Sequence, residues 1–234
     1  MGKSNGILRV PAWKKLTSYL LPLTLETIHS DLHTELSVRL SRGQFQLCTE
    51  KAIYSFGNRY ANFFKAFSKV DFDQLPGEQV LILGLGLGSI PLMLEKNYNR
   101  TFHYCSVEVD EAVGYLAEKY VLSDLKSSME TFIMDARLYL ETTDQSFDLI
   151  CMDIFMEDII PEDMQSSDFI QEILEHLNPG GLLLYNVLDF SAENRRDNER
   201  FLETTWQPLF PDGGYMAVHA NWILFNDRRF VEGG

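Results

Sequence analysis

The sequence predicts an α/β fold, a doubly wound and mostly parallel sheet, with a small antiparallel β unit ahead of it. From Gln79 onward, strands that are apolar throughout alternate with amphipathic helices, the pattern of a parallel sheet covered on both faces. Before residue 58 the apolar residues instead recur at every second position, as in half-buried antiparallel strands. The 234 residues, 45% apolar and 23% charged, suit one large domain or one with a small appendage.

Residues 1 to 15 (MGKSNGILRVPAWKK) form an entry arm. Leu36, Val38 and Leu40 then alternate with Glu35, Ser37 and Arg39, and Ser41-Arg42-Gly43 turns the chain into QFQLC, giving three or four short strands. His29, Asp31, His33 and Glu35 would share one face of an unbroken strand. An exposed polar face, or a turn at Ser30-Asp31, explains them better than a metal site does. NRYANFFKAF (58–67) has helical spacing, and LPGE (75–78) ends it. QVLILG is the first buried strand, followed by helix SIPLMLEKNY, strand FHYCSVEV, helix EAVGYLAEKYV, strand TFIMDA, short helix RLYLETT and strand FDLICMDIF. SSDFIQEILEHL puts Phe169, Ile170, Ile173, Leu174 and Leu177 on one helical face, and NPGG stops it before the strand LLLYNVL. A polar helix from 191 to about 205 and the strands YMAVHA and WILFND close the chain as a hairpin, with Trp206 and Trp222 packing these last elements onto the sheet. The division expected is an arm and β unit over 1–57 and a nucleoside-binding domain over 58–234.

Net charge is −14 and the isoelectric point near 4.7, so the summed field repels phosphate backbones and anionic lipid and favours neutral or cationic ligands. Nucleic-acid and membrane partners are not expected. Cys48, Cys105 and Cys151 lie far apart, without CxxC spacing, and read as reduced core residues in a cytoplasmic protein. No GxSxG elbow, HExxH or GxxxxGK[ST] is present, which argues against serine hydrolase, zincin and P-loop chemistry.

Ligands of doubly wound sheets bind at the carboxyl ends of the strands, so the residues just past each strand carry the function. After the first comes Gly84-Leu85-Gly86-Leu87-Gly88, where glycines permit a tight turn and the next helix presents free N–H groups. Glu108-Val109 follows the second strand, at about the 20-residue distance at which an acid meets ribose hydroxyls; as an acid at a helix start, it would also suit the dipole. Asp135-Ala136 follows the third strand and Asp153 the fourth. Four consecutive strand ends thus offer donors or carboxylates to one crevice.

VLILGLGLG, SVEVDEAV, MDARLYL, FDLICMDIF and LNPGGLLL, with QLCTEKAIYSFGNRY upstream, resemble in order and spacing the motifs of the spermidine synthase family of aminopropyltransferases. The resemblance covers roughly residues 20 to 225. It implies the class I S-adenosylmethionine-dependent methyltransferase fold, a Rossmann-like seven-stranded sheet, behind a shortened N-terminal β domain. It also implies that Glu108 binds the ribose diol of an S-adenosyl nucleoside, Asp135 accepts from the adenine amino group, and Gly84 and Gly86 line the sugar and sulfonium, with Leu85, Gly88, Val109 and Ala136 beside them. Asp153 matches the catalytic aspartate, a carboxylate able to orient an attacking amine and take its proton. The family's usual homodimer is implied as well.

The chain departs from the pattern where charge is needed. Leu87 stands where the family has an aspartate, and Ile82 where related methyltransferases place an acid. Ala52 and Ile53 replace an Asp-Glu pair, Phe56 and Gly57 a Tyr-Gln pair, and Met156-Glu157 an Asp-Pro. Buried ammonium groups need paired acids. The acidic stretch MEDIIPED, with Glu157, Asp158, Glu162 and Asp163, is either a gate attracting a cationic acceptor or a solvated loop face. Glu50 and Tyr54 are further acceptor contacts. The expected donor is S-adenosylmethionine, its decarboxylated form or methylthioadenosine, with a small, cationic acceptor. Methyl transfer is expected first, aminopropyl transfer is the alternative, and a non-catalytic nucleoside-binding member of the fold is a third reading.

Overall fold

A computed structural model describes residues 10–49, 53–155 and 160–231, without the side chains of Tyr54, Arg59 and Glu162. In chain order the first elements are α1 (Ala12–Thr17), β1 (Leu23–Ile28), β2 (Leu36–Ser41), β3 (Gln44–Cys48), β4 (Ile53–Phe56), α2 (Ala61–Phe67), β5 (Gln79–Leu83), α3 (Ser89–Asn97) and β6 (His103–Glu108). There follow α4 (Glu111–Tyr120), β7 (Ser128–Ile133), α5 (Ala136–Thr142), β8 (Phe147–Met152), α6 (Ser167–Glu175), β9 (Leu177–Leu188), α7 (Ala192–Phe201), β10 (Gly214–Val218) and β11 (Asn221–Phe225). The chain divides into two compact units. One takes in Met1–Tyr60, Leu85–Thr101 and Asp110–Ser128, the other Ala61–Gly84, Phe102–Val109 and Met129–Gly234.

In the first unit, β1 to β4 form an antiparallel sheet in sequence order. Ser41 pairs with Gln44 across a two-residue turn in which Arg42 (φ 50°) and Gly43 (φ 75°) both take positive φ, the twist that a tight hairpin prefers. The His29–Glu35 stretch is a loop between β1 and β2, in which Ser30 Oγ donates to Asp110 at 2.6 Å. Asp110 in turn caps α4, accepting from Ala112 N–H at 2.8 Å. The helix buries Val113, Leu116, Ala117 and Tyr120, one apolar face at 3.6-residue spacing. Val113, Leu116 and Tyr120 join Leu36, Val38, Leu47 and Leu87 in one apolar cluster. At its edge Glu26 receives Lys119 Nζ at 2.8 Å on both oxygens and Tyr120 Oη at 2.7 Å.

The second unit holds a seven-stranded sheet in the order β10-β11-β9-β8-β5-β6-β7. β5 pairs in parallel with both β6 and β8, and β8 with β9, while β9, β11 and β10 are antiparallel. Chain order therefore reverses at the β5–β8 boundary, where sheets of this kind open a crevice. Ala136, Tyr139 and Leu140 of α5 and Phe169, Ile170 and Ile173 of α6 pack with Leu81, Leu83, Ile150, Met152 and Leu183 in the main core. Ser166 caps α6 through Phe169 N–H, a contact whose removal costs about 1 kcal/mol.

Two boundaries differ from expectation. β9 starts at Leu177, so Asn178-Pro179-Gly180-Gly181 lies within the strand; a register shift opposite Phe147 and Leu149 absorbs it, with Asn178 Nδ2 bonded to Asp148 at 2.8 Å. The last helix continues past Phe201 through a π turn, Leu202–Trp206, which seats the fully buried Trp206 so that its indole donates to Phe225 O at 3.1 Å. Both tryptophans pack as expected, Trp222 Nε1 donating to Asp189 at 2.9 Å. All three cysteines are buried thiols. Burial pushes Cys105 up to about 11, against a hydrogen bond with Tyr139. Among the described residues, no helix is long and apolar enough to cross a membrane.

Candidate functional site

Gly84 ends β5 with φ 89°, and its N–H donates to Val107 O at 3.0 Å. A Cβ there would stand 2.4 Å from the carbonyl oxygen of Asp153, so the position needs glycine for close approach of the chain to itself. Asp153 N–H in turn donates to Leu83 O at 2.7 Å, fastening the ends of β5 and β8 together. Farther along the loop, Gly86 (φ 54°) and Gly88 (φ 79°) also need positive φ. Leu85 and Leu87 are buried, Leu87 completely, and Leu87 belongs to the apolar cluster of the first unit. Its departure from aspartate thus answers to packing.

At the ends of β6 and β7 the second unit is open. Met134 N–H donates to Glu108 O at 3.0 Å, bringing the two ends side by side. Glu108 is half-buried, whereas Val109, Ile133 and Leu138 are 53%, 44% and 48% exposed. Asp135 is exposed and caps α5, its Oδ1 accepting from the N–H groups of Arg137 at 2.9 Å and Leu138 at 3.1 Å; Ala136 behind it is buried. Two carboxylates beside open apolar side chains fit a nucleoside, whose hydroxyls and exocyclic amine need acceptors and whose base needs a nonpolar surface.

The end of β8 is closed. Asp153 is half-buried, and its Oδ1 accepts from Asn186 Nδ2 at 2.7 Å; Asn186 Oδ1 accepts from Asn221 Nδ2 at 2.9 Å. Burial, and secondarily the charge of Asp153, lifts the Cys151 thiol and keeps it neutral. Past β9 a cavity of about 410 Å³ is lined by Asp189, Phe190, Ser191, Ala192, Arg195 and Glu199. Its carboxylate at Asp189 is already met by Arg195, at 3.0 and 2.7 Å, and by Trp222. Sequence reasoning passed over Asn186 and Asn221. The available signal was an amide inside the otherwise apolar LLLYNVL.

The acceptor candidates are less well placed. Glu50, Glu157 and Asp158 lie outside the described residues, as do Ala52 and Met156. Tyr54 lies in β4, beside Ile53, which is exposed. Of the acidic stretch, Asp163 is exposed, with its carbonyl accepting from Ser166 Oγ at 2.7 Å and Arg137 at 3.3 Å, while Ile160 and Met164 anchor the stretch in the core.

No family model matches the chain. It is 33% identical over 136 residues to a polyamine aminopropyltransferase of Vibrio vulnificus, matching 57% of this chain and 44% of that one. It is also 31% identical over 138 residues to a probable polyamine aminopropyl transferase of Bifidobacterium longum, 59% and 30% of the respective chains. The chain thus spans less than half the length of these curated relatives. A probable spermidine synthase from Corynebacterium glutamicum superposes with TM-score 0.65 at 17% identity, over 87% of this chain and 79% of that one. A spermidine synthase in complex with the transition state analogue AdoDATO gives 0.64 at 15%, over 89% and 73%. Human methyltransferase-like protein 13 in complex with SAH gives 0.53 at 20%, over 64% and 72%. At these identities the structures speak for the fold, and the two curated relatives favour the aminopropyltransferase likeness over the methyltransferase one. Over 136 residues the chain is similar in sequence to a polyamine aminopropyltransferase, and over nearly nine tenths of its length it has the fold that spermidine synthases share with class I methyltransferases.

Proposed function

We propose that the chain transfers an aminopropyl group from the sulfonium of decarboxylated S-adenosylmethionine, or a close relative, to a small amine. The observation that carries this reading is the 33% identity with a polyamine aminopropyltransferase, which outweighs the methyl transfer first expected from the missing polyamine contacts at Ala52, Ile53, Phe56, Gly57 and Met156-Glu157. Ile82 and Leu87, which favoured the non-catalytic reading, are wholly buried, so their apolar character reflects packing as much as ligand choice.

Glu108 would take the ribose diol, Asp135 the exocyclic amine, and Val109 and Leu138 the face of the base. The acceptor nitrogen attacks the carbon bound to sulfur. The C–S bond breaks, its electron pair goes to sulfur, and neutral methylthioadenosine leaves. The proton shed by the new ammonium passes to Asp153. Alignment for in-line displacement supplies most of the acceleration, and a positioned proton acceptor adds about 10²- to 10⁴-fold.

Calorimetric titration with S-adenosylmethionine, its decarboxylated form, methylthioadenosine and S-adenosylhomocysteine tests the proposal. Tightest binding of the decarboxylated donor and methylthioadenosine is expected. Preference for S-adenosylmethionine and S-adenosylhomocysteine would restore methyl transfer, and binding of none of the four would leave a non-catalytic member of the fold.

A further inference from the structure

Asn186 lies within β9 with no exposed surface, and both ends of its side-chain amide are engaged. An amide donates only from nitrogen and accepts only at oxygen. Because Asn221 Nδ2 donates into Asn186 Oδ1 at 2.9 Å, the donor end of Asn186 must face Asp153, where it meets Oδ1 at 2.7 Å. Asn221 is itself held in place. It opens β11 and is 5% exposed. The residue before it accepts the Asp189 N–H at 2.6 Å through its carbonyl, and the residue after it, Trp222, donates to the Asp189 carboxylate. Two buried amides in apolar strands are costly unless every bond is made, so the pair is a specific feature of this sheet.

We propose that Asn186 and Asn221 are positioning residues for Asp153. The terminal hairpin, through Asn221 and the Asn186 amide, fixes the plane of the Asp153 carboxylate and hence the direction in which Oδ2 presents its lone pairs. The kinetic consequence rests on the transferase reading above, whereas the clamp itself does not.

Asn221→Leu in the full chain, assayed with decarboxylated S-adenosylmethionine and putrescine, is expected to lower kcat roughly 10- to 100-fold with little change in either KM, since small misplacements of a reacting group cost that much. Asn186→Leu is expected to do the same, and the double variant no more than either alone, because the three side chains act as one unit. A second readout is independent of turnover: the carboxyl ¹³C signal of Asp153 in aspartate-labelled protein, assigned by its loss in Asp153→Asn. Asn186→Leu removes the N–H donor that favours the charged carboxylate, and Asn221→Leu releases the bond that orients that donor, so the titration midpoint is expected to rise in both variants, more in the first. The neighbouring Cys151 stays neutral across that range and does not obscure it. Should either leucine variant fail to fold, Asn221→Ser, which removes the amide without adding bulk, carries both readouts. An unchanged kcat together with an unchanged midpoint in a folded variant overturns the clamp. If the wild-type protein turns over nothing, the reaction reading fails, and the carboxyl signal alone decides the clamp.

Discussion

The two sides of the sheet's carboxyl edge are built differently. At β6 and β7 the edge is open: exposed Val109, Ile133 and Leu138 flank the acids, and Asp135 is held by the N–H groups of its own helix. At β8, β9 and β11 it is closed, with Asp153, Asn186 and Asn221 bonded across strands 33 and 35 residues apart in sequence. An open edge suits recognition, because the ligand brings the complementary groups and displaces water as it binds. A closed edge suits a group whose direction must be set before the ligand arrives, since reorganisation at the moment of reaction adds to the barrier.

Exchanging the acid on each side is the strongest way to break this contrast. Asp153→Asn is expected to lower kcat about 10²- to 10⁴-fold while leaving nucleoside affinity nearly unchanged. Glu108→Ala is expected to weaken nucleoside binding about 10- to 100-fold, the worth of charge-assisted hydrogen bonds. Single-turnover kinetics and calorimetry on both variants would show whether the effects separate; equal losses in both quantities at both positions would merge the two sides into one. A smaller effect is expected at Asp135, where loss of the cap in Asp135→Ala costs about 1 kcal/mol, a drop of about 2–4 °C in Tm. Asp135→Asn, which caps as well, restores the melting temperature. Smallest is a control in the first unit. Burial works to raise the Glu26 carboxyl, but the hydrogen bonds from Lys119 and Tyr120 outweigh it and hold the group below its ordinary value. A depressed carboxylate stabilises the fold above its unfolded pKa, about 4.3, and that contribution is lost as pH falls through the folded value. The difference in unfolding free energy between wild type and Glu26→Gln, measured by denaturant titration, should thus be level at neutral pH and shrink toward pH 3, from at most about 1 kcal/mol for so accessible a pair.

What the sequence made legible was local. An apolar run followed by an acid places that acid at a strand end whatever the rest of the chain does, which is why Glu108, Asp135 and Asp153 were found. Capping is equally local, and Asp135 serves it through residues two and three positions on. Leu87 was legible as a departure but not in its cause, because its neighbours come from β2, β3 and α4 and meet it only in the fold. That is how a packing residue came to argue against the family's own reaction. Asn186 and Asn221 were hidden for a related reason, since their meeting depends on the antiparallel pairing of β9 with β11, in which Asn221 sits opposite Leu188. The early start of β9 likewise depends on a register shift against β8 that no propensity records.

Gly84 bears on any effort to alter the donor preference of this fold. A library that varies the first glycine to reshape the slot would push a side chain into the main chain of Asp153 and Ile154, 2.4–3.0 Å away, at a φ that L-residues rarely adopt. Donor selectivity and acceptor geometry would then change together, and the variants would be unreadable as changes in either. Room for a different nucleoside is better sought at Leu138, whose side chain is half exposed and can be shortened without moving the strand that carries the carboxylate.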